Sequence, residues 1–430
     1  MAVAVWLIAF AAVFALGYPI ALGMLISSVL YFLLSNVDLA TVMDMMVIKF
    51  ENQFVLLAVP LFIFTAKVMN AGKITDRVFD FAKTLVGPFK GGLGHVNIVA
   101  SIIFAGMTGS EIADVAGLGA VEIKAMKDAG YDGPFACAVT CGSATIGPII
   151  PPSIPMVIYS MLSGASIGYL FLGGFIPGFI LGGVLMLLVY ILSVKRNYPS
   201  EKRIGLREFL KATAKAFFAL MAPVLLLGGI YGGVFTPTEA AGVVSTYALI
   251  LSLIVYRTLG LKALYKILIE TVVSTGFITF LIAGAFIFGY VVAREEIPAI
   301  ITNGFISLGL MSSKWTVLLS LNALFLVLGY FIDVSAILLI IVPMVLPLVK
   351  TAGIDLVHFG VITVFNLMIA LDTPPYSPTI FITTAISGTP LADAIKEMWL
   401  FIAFEIGALM ICTYVPGLVL WLPRLAGYLG

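Results

Sequence analysis

The chain has 430 residues, of which 61% are hydrophobic and only 10% charged, against roughly 25% charged in a soluble domain. So little polar surface cannot cover a body of this size in water, which excludes a soluble globular protein and leaves lipid as the main solvent. A net charge of +1 supplies no basic face, so no nucleic-acid partner is expected.

Apolar segments run over about 2–34, 52–70, 92–107, 134–163, 167–194, 216–235, 239–256, 268–292, 315–331, 334–349, 357–387 and 398–422. Residues 2–34 form one stretch with no basic flank before it, too long for a cleaved signal core and suited to a span. In 73–90, Ile74, Val78, Phe81, Ala82 and Leu85 share one helical face, with Asp76, Arg77, Asp80 and Lys83 opposite. That pattern predicts a helix lying in the membrane interface, and 201–215 reads the same way with more basic residues. Cys137, Cys141 and Cys412 lie in apolar runs and read as small core residues. Two histidines, His95 and His358, without an HExxH make a zinc site a poor reading.

Basic residues set the orientation. Lys73, Arg77, Lys83 and Lys90 mark one loop as cytoplasmic; Lys195, Arg196, Lys202, Arg203, Arg207, Lys211 and Lys215 mark a second; Arg257, Lys262 and Lys266 mark a third. Thr236-Pro237-Thr238-Glu239 carries no basic residue and reads as external. A shift of 223 lays Gly106 on Gly329, Ala129-Gly130 on Ala352-Gly353, Asp132 on Asp355 and Pro151-Pro152 on Pro374-Pro375. A shift of 224 lays Phe62-Ile63-Phe64 on Phe286-Ile287-Phe288. The chain therefore reads as an internal repeat. Segment 52–70 runs into a basic stretch, whereas its counterpart 276–292 runs into Arg294-Glu295-Glu296. Equivalent elements thus end on opposite sides, the arrangement of inverted halves in secondary transporters. The expected regions are 1–51, an N-terminal span and external loop; 52–194, the first inverted repeat; 195–267, a cytoplasmic basic linker with two scaffold spans; and 268–430, the second repeat.

Each half breaks its helical pattern twice. The first break is a polar, glycine-rich turn: Gly106-Met107-Thr108-Gly109-Ser110-Glu111-Ile112-Ala113-Asp114, and Gly329-Tyr330-Phe331-Ile332-Asp333-Val334-Ser335. These turns predict two re-entrant hairpins, over 92–128 and 315–350, since bare backbone at depth is tolerated only inside protein or along a wet cavity. The second break is proline-rich: Gly147 to Pro155, and Asp372-Thr373-Pro374-Pro375-Tyr376-Ser377-Pro378. Consecutive prolines force a helix open. Segment 134–163 is then a hairpin or one broken span; the basic residues of 195–215 favour a single discontinuous helix, and 357–387 follows by symmetry.

Opened half-helices expose carbonyl oxygens at one end and N–H groups at the other. A sodium ion wants about five or six oxygens. Thr108, Ser110, Asp114, Thr145 and the carbonyls near Gly147 form one candidate cage; Asp333, Ser335 and Thr373 form another. Each has a plainer reading. A membrane Ser or Thr often only bonds a carbonyl one turn back, Asp114 has Lys124 as an alternative partner, Glu111 is a ligand or wet at the tip, Asp372 caps the half-helix after it, and Arg294 snorkels to the interface or meets an anion.

At these motifs the chain resembles a known family. Gly106 to Asp114 looks like its S-G-S-x-x-A-D element, with Thr108 in place of the first serine. Gly147 to Pro155 with Tyr159 looks like its G-x-x-I-P-P-S-I-P-x-x-x-Y signature. Gly329 to Ser335, Pro343, Pro347 and Thr373-Pro374-Pro375 look like the second-half counterparts, and Arg294-Glu295-Glu296-Ile297-Pro298 resembles its R-E-x-I-P corner. The family is the large membrane subunit of tripartite ATP-independent periplasmic (TRAP) transporters, and the resemblance covers nearly the whole chain. It implies an all-α polytopic membrane protein of the bacterial inner membrane. Its two inverted-topology repeats each carry a re-entrant hairpin and a discontinuous helix, in an elevator-type fold. It implies uptake of a small organic acid, such as a C4-dicarboxylate or a sialic acid, driven by sodium. The expected partners are a small membrane (Q) subunit, not fused at the N-terminus, and a soluble periplasmic binding (P) protein. Sodium ligands carry over to Thr108, Ser110 and Asp114, and to Asp333 and Thr373; Gly147 and Ser335, from the two cages above, join them as candidate ion ligands. Candidate solute ligands are Ser153, Tyr159, Arg294, Asn366, Tyr376 and Ser377. One departure is Pro374-Pro375-Tyr376-Ser377 where the family often shows P-P-V-G, which leaves the solute open.

Three rival readings remain. A channel would favour a continuous polar path. An intramembrane enzyme lacks a G-x-S-x-G or metal motif here, so no enzymatic activity is expected. A proton-coupled carrier of the same shape is the nearest alternative, because Asp114 and Asp333 are able to carry protons.

Overall fold

The structure, a computed structural model, describes residues 2–51, 53–201 and 205–430. Met1 and Asn52, where the first two expected regions begin, and Lys202 and Arg203 of the second basic loop lie outside the described residues. The described chain is built of helices. The first group is α1 (Ala2–Ala15), α2 (Ile20–Leu34), α3 (Ala40–Glu51), α4 (Ala58–Ala71) and α5 (Ile74–Val86). Next come α6 (Gly92–Thr108), α7 (Glu111–Asp128), α8 (Gly133–Ala144), α9 (Ile154–Ser163) and the long α10 (Ile167–Arg196). Then follow α11 (Leu206–Tyr231), α12 (Pro237–Ile250), α13 (Leu261–Arg294) and α14 (Ile297–Ser307). The last group is α15 (Lys314–Gly329), α16 (Val334–Thr351), α17 (Leu356–Asp372), α18 (Pro378–Ser387), α19 (Leu391–Tyr414) and α20 (Pro416–Leu425).

Six of the described helices are long and apolar enough to cross a membrane; α19 and α20, bent by 60° at Val415, make a seventh if taken as one span. At 1.5 Å per residue, α13 reaches about 50 Å, well past a hydrocarbon core of roughly 30 Å. Packing inside such a body depends on close backbone approach more than on expulsion of water. The glycines of α10 show it: a Cβ at Gly174 would stand 2.0 Å from the Ile149 carbonyl oxygen, and one at Gly178 would stand 2.3 Å from Ile150. This stripe lets the first proline-rich break lie directly on α10.

Both diproline stretches interrupt their helices, and each contains a cis Pro–Pro bond. The pieces on either side of a break keep different company. α8 packs on α6, α7 and α19, whereas α9 packs on α16 and α17; in the other half α18 packs on α7 and α8. Each half thus lends a half-helix to the hairpin of the other. From α6 to α10 and again from α15 to α19, helix starts recur at offsets of 222–224 residues.

Three expectations are corrected. Residues 2–34 are two helices packed on each other, not one span: Gly17, with φ +76°, ends the first, and Pro19, which has no N–H to donate, opens the second. The loop placed after them contains α3. The basic piece 201–215 and the span 216–235 are one continuous helix from Leu206 to Tyr231, because Arg207, Lys211 and Lys215 recur every four residues without a helix breaker between them. The R-E-E-I-P corner is followed by a further short helix, α14, whose start is set by Glu296 in left-handed backbone and Pro298 in the first turn.

Candidate functional site: hairpin tips, opened helices and an adjoining cavity

The first hairpin turns in two residues. Thr108 ends α6, Gly109 takes left-handed backbone (φ +61°), and Ser110 caps α7 by accepting from the Ala113 N–H at 3.4 Å. Gly109 is required twice over, since a Cβ there would also lie 2.3 Å from the Pro152 carbonyl oxygen. The hairpin tip therefore touches the first proline-rich break. A Cβ at Gly147 would come within 3.7 Å of the Ser110 carbonyl carbon, so the hairpin tip at Ser110 lies against the first break at Gly147.

The other members of that cage point elsewhere. The Thr145 hydroxyl donates to Asp372 at 2.9 Å, across from the first half to the second. Asp114 is buried between the arms of its own hairpin, near Ser101 on α6. It does not pair with Lys124, which is exposed, and no ion pair involves Asp114 among the described residues. Asp372 does not cap α18: Ser377 does, accepting from Ile380 N–H at 3.2 Å, while Asp372 accepts from Thr145 and Thr379. Glu111 lies against Asp372, with Glu405 of α19 close by, and all three carboxyls are buried.

The second cage is open. Asp333 caps α16 through the Ser335 N–H at 2.9 Å and is exposed. Thr373 is buried and spends its hydroxyl on the Ile369 carbonyl at 2.7 Å. The second hairpin meets the second break through the Phe331 and Tyr376 rings, 6.1 Å apart. Shifted by 223 or 224 residues, Ser110 falls on Asp333 and Ser153 on Ser377, and all four are helix caps (Ser153 accepts from Met156 N–H at 3.3 Å). A capping oxygen keeps a second lone pair for a ligand.

The candidate solute ligands divide. Ser153 and Ser377 are buried at the breaks, and Tyr376 is exposed beside them. Tyr159 is a packing residue: it is buried, its hydroxyl donates to the Leu356 carbonyl at 2.7 Å, and its ring fills the space that a Cβ at Gly360 would occupy. Asn366 is buried and donates to Asn322 on α15 at 3.0 Å, tying the second hairpin to its interrupted helix. Arg294 is exposed at the end of α13, 3.3 Å from the Tyr290 hydroxyl.

A cavity of about 640 Å³ opens beside the first tip. Its walls are Thr108, Ser110 and Ala113 of the hairpin, Lys67 and Asn70 of α4, and Glu270 of α13. Lys67 meets Glu270 at 3.1 Å, and Asn70 donates to the Ala113 carbonyl at 3.1 Å. The α4 and α13 wall is absent from the sequence-based candidates. Its available signal was a lysine inside the apolar run of α4 and a glutamate inside that of α13, each expensive in a membrane without a purpose. Volume and a few polar groups in an apolar lining are the marks of a small-molecule site.

Hairpins ending on interrupted helices beside a cavity define a membrane carrier of secondary-transporter type. The comparisons with known proteins narrow this. Residues 7–418 match the model of the tripartite ATP-independent periplasmic transporter DctM component. The chain belongs to this family: it is a multi-pass inner-membrane permease subunit of a TRAP uptake transporter and not an enzyme. It is 40% identical to the sialic acid TRAP transporter large permease protein SiaM of Vibrio cholerae, over 95% of each chain. It is 37% identical to the C4-dicarboxylate TRAP transporter large permease protein DctM of Pseudomonas aeruginosa, over 94% of each. Its fold is similar to the crystal structure of the Alcanivorax borkumensis YdaH transporter, with a TM-score of 0.63 and 15% identity over 88% of this chain and 89% of that one.

Proposed function

We propose that the chain is the large subunit of a sodium-coupled importer of a small organic acid, delivered by a soluble periplasmic binding protein and moved together with a small membrane subunit. The observation that carries this reading is the hairpin tip, whose Thr108 and Ser110 line the cavity while its Ser110 backbone lies against the opened helix at Gly147. Hydroxyls and opened-helix carbonyls at one spot are hard oxygen donors suited to a small cation. A cation held there lies beside the space for the solute, so each favours the other's presence, which is what symport needs. The relatives named for sialic acid and C4-dicarboxylates support an organic acid as cargo.

In this reading α6–α9 and α15–α18 form the moving body, with the two halves inverted across the bilayer, and α4 and α13 belong to the frame it slides against. Asp333, Ser335 and Thr373 complete the second ion cage only when the second hairpin closes on its break. The test is uptake into liposomes holding both membrane subunits, with the binding protein outside. Organic-acid uptake is expected with a sodium gradient and the binding protein present, and is expected to vanish when potassium replaces sodium at constant pH. Undiminished uptake in potassium rejects sodium coupling.

One observation favours a second reading, proton coupling: Glu111, Asp372 and Glu405 meet as buried carboxyls, and clustered intramembrane carboxyls are the material of proton relays in carriers. A pH gradient that drives uptake in potassium medium would establish it.

A further inference from the structure

We propose that Lys67 is the anion-recognition residue of the cavity beside the first hairpin tip, holding a carboxylate of the transported solute, and that Glu270 is the internal carboxylate it pairs with when no solute is bound. The inference rests on the reading of this cavity as the solute's path and goes beyond it by assigning the contact.

Lys67 stands in a helix whose neighbouring positions are buried, Ala66 at 3% exposure and Val68 at 0%. A lysine there is costly unless used. Its side chain is 28% exposed and that of Glu270 43% exposed, so the pair faces the cavity. Such open pairs are weak, and one carboxylate readily replaces another on the same ammonium. The charged groups of the lining are Lys67, Lys266 and Glu270, two cations against one anion. Both cations reach Glu270, Lys67 at 3.1 Å and Lys266 at 3.8 Å; the surplus attracts an anionic solute, and Lys67, with a side chain 28% exposed against 78% for Lys266, is the more enclosed of the two.

The surroundings add shape. Asn70 lies one turn along α4 on the same face, and its Oδ1 is buried without a hydrogen-bond partner. Gly117 of α7 admits this side chain, because a Cβ there would stand 2.3 Å from Asn70 Oδ1. This unpaired acceptor is wedged against α7, so a donor on the solute reaches it only when the hairpin shifts from α4, beside the ammonium that takes the carboxylate. The opposite wall carries Thr108 and Ser110, so a solute on Lys67 lies between the frame helix α4 and the hairpin tip. A single compact ammonium binds a carboxylate without demanding the two-pronged geometry that arginine imposes.

The test uses the complete transporter in liposomes with its binding protein, and radiolabelled succinate and N-acetylneuraminate as probes, taking whichever the wild type carries better. Lys67→Met is expected to raise the KM for that anion about tenfold or more, the scale of one lost hydrogen bond to a charged group. Lys67→Arg is expected to lie between Lys67→Met and the wild type. Glu270→Gln is expected not to raise the KM, because it removes only a competitor. A merely structural ion pair predicts the opposite: Lys67→Met and Glu270→Gln impair transport equally. Equal impairment, or an unchanged KM in Lys67→Met, overturns the proposal, as does a wild type that carries a neutral or cationic solute and refuses both anions. Sodium-driven uptake that ignores Lys67 sinks this inference alone. Lys67-dependent uptake that ignores sodium sinks the coupling reading alone.

Discussion

At the residue scale, the tip of the first hairpin depends on atoms that are absent. Gly109 has left-handed backbone, which costs other residues roughly 1–2 kcal/mol, and the Pro152 carbonyl fills the place of a side chain. Gly109→Ala is expected to lower the melting temperature of the purified complex and to abolish solute uptake; unchanged uptake would show that the tip is not where ion and solute meet. Thr108 permits a finer test. Its hydroxyl makes only a long 3.4 Å bond to the Phe104 carbonyl, so Thr108→Val keeps the shape and removes one oxygen. The apparent sodium affinity is expected to fall about tenfold, the scale of one lost polar contact. The KM for the solute at saturating sodium is expected to stay near that of the wild type. Uptake at graded sodium concentrations separates the two effects.

The glycines and prolines that make these turns were legible in the sequence because each forbids or permits a backbone shape locally. What side chains do after the chain folds was not. Tyr159 and Asn366 stand in or near the motifs, yet the Tyr159 hydroxyl is committed to Leu356 and the Asn366 amide N–H to Asn322, while the buried Asn366 Oδ1 has no partner. The Lys67–Glu270 pair joins positions 203 residues apart, and no local pattern reveals that distance.

At the element scale, the interrupted helices are held open by what they pack against as much as by their prolines. The Ile149 carbonyl of the first break rests on Gly174 of α10. Gly174→Val pushes this backbone away, and overpacking of a well-filled site typically costs about 1–3 kcal/mol. Reduced thermal stability together with weakened sodium dependence is the expected result, whereas Gly183→Ala on the same helix, where a Cβ meets nothing within 4 Å, is expected to be silent. If both variants behave alike, α10 does not position the break. The same Gly and Pro punctuation that revealed the breaks at 147–155 and 372–378 was present at Gly17-Tyr18-Pro19. There the continuous hydropathy of 2–34 outweighed it, and a pair of packed helices was read as one span. The basic run of 206–215 erred the other way, since a change from charged to apolar composition marks where a helix meets the membrane and not where it ends.

At the scale of the whole molecule, the halves exchange half-helices: α9 packs on the second hairpin and α18 on the first. Thr145 and Asp372 link the two breaks directly. An ion bound at one tip therefore borders groups from both halves, which is the physical basis for coupling in this account. The two tips differ in state, the first sealed by Pro152 and the second with Asp333 and Tyr376 exposed. The second is expected to close when its cage fills. The most direct test is the simultaneous flux of radioactive sodium and radiolabelled organic acid into the same liposomes, with both subunits and the binding protein present. Sodium is expected to enter in fixed proportion to the solute and only while the solute is being carried. Solute entry with no accompanying sodium, or sodium entry that continues without solute, would contradict it.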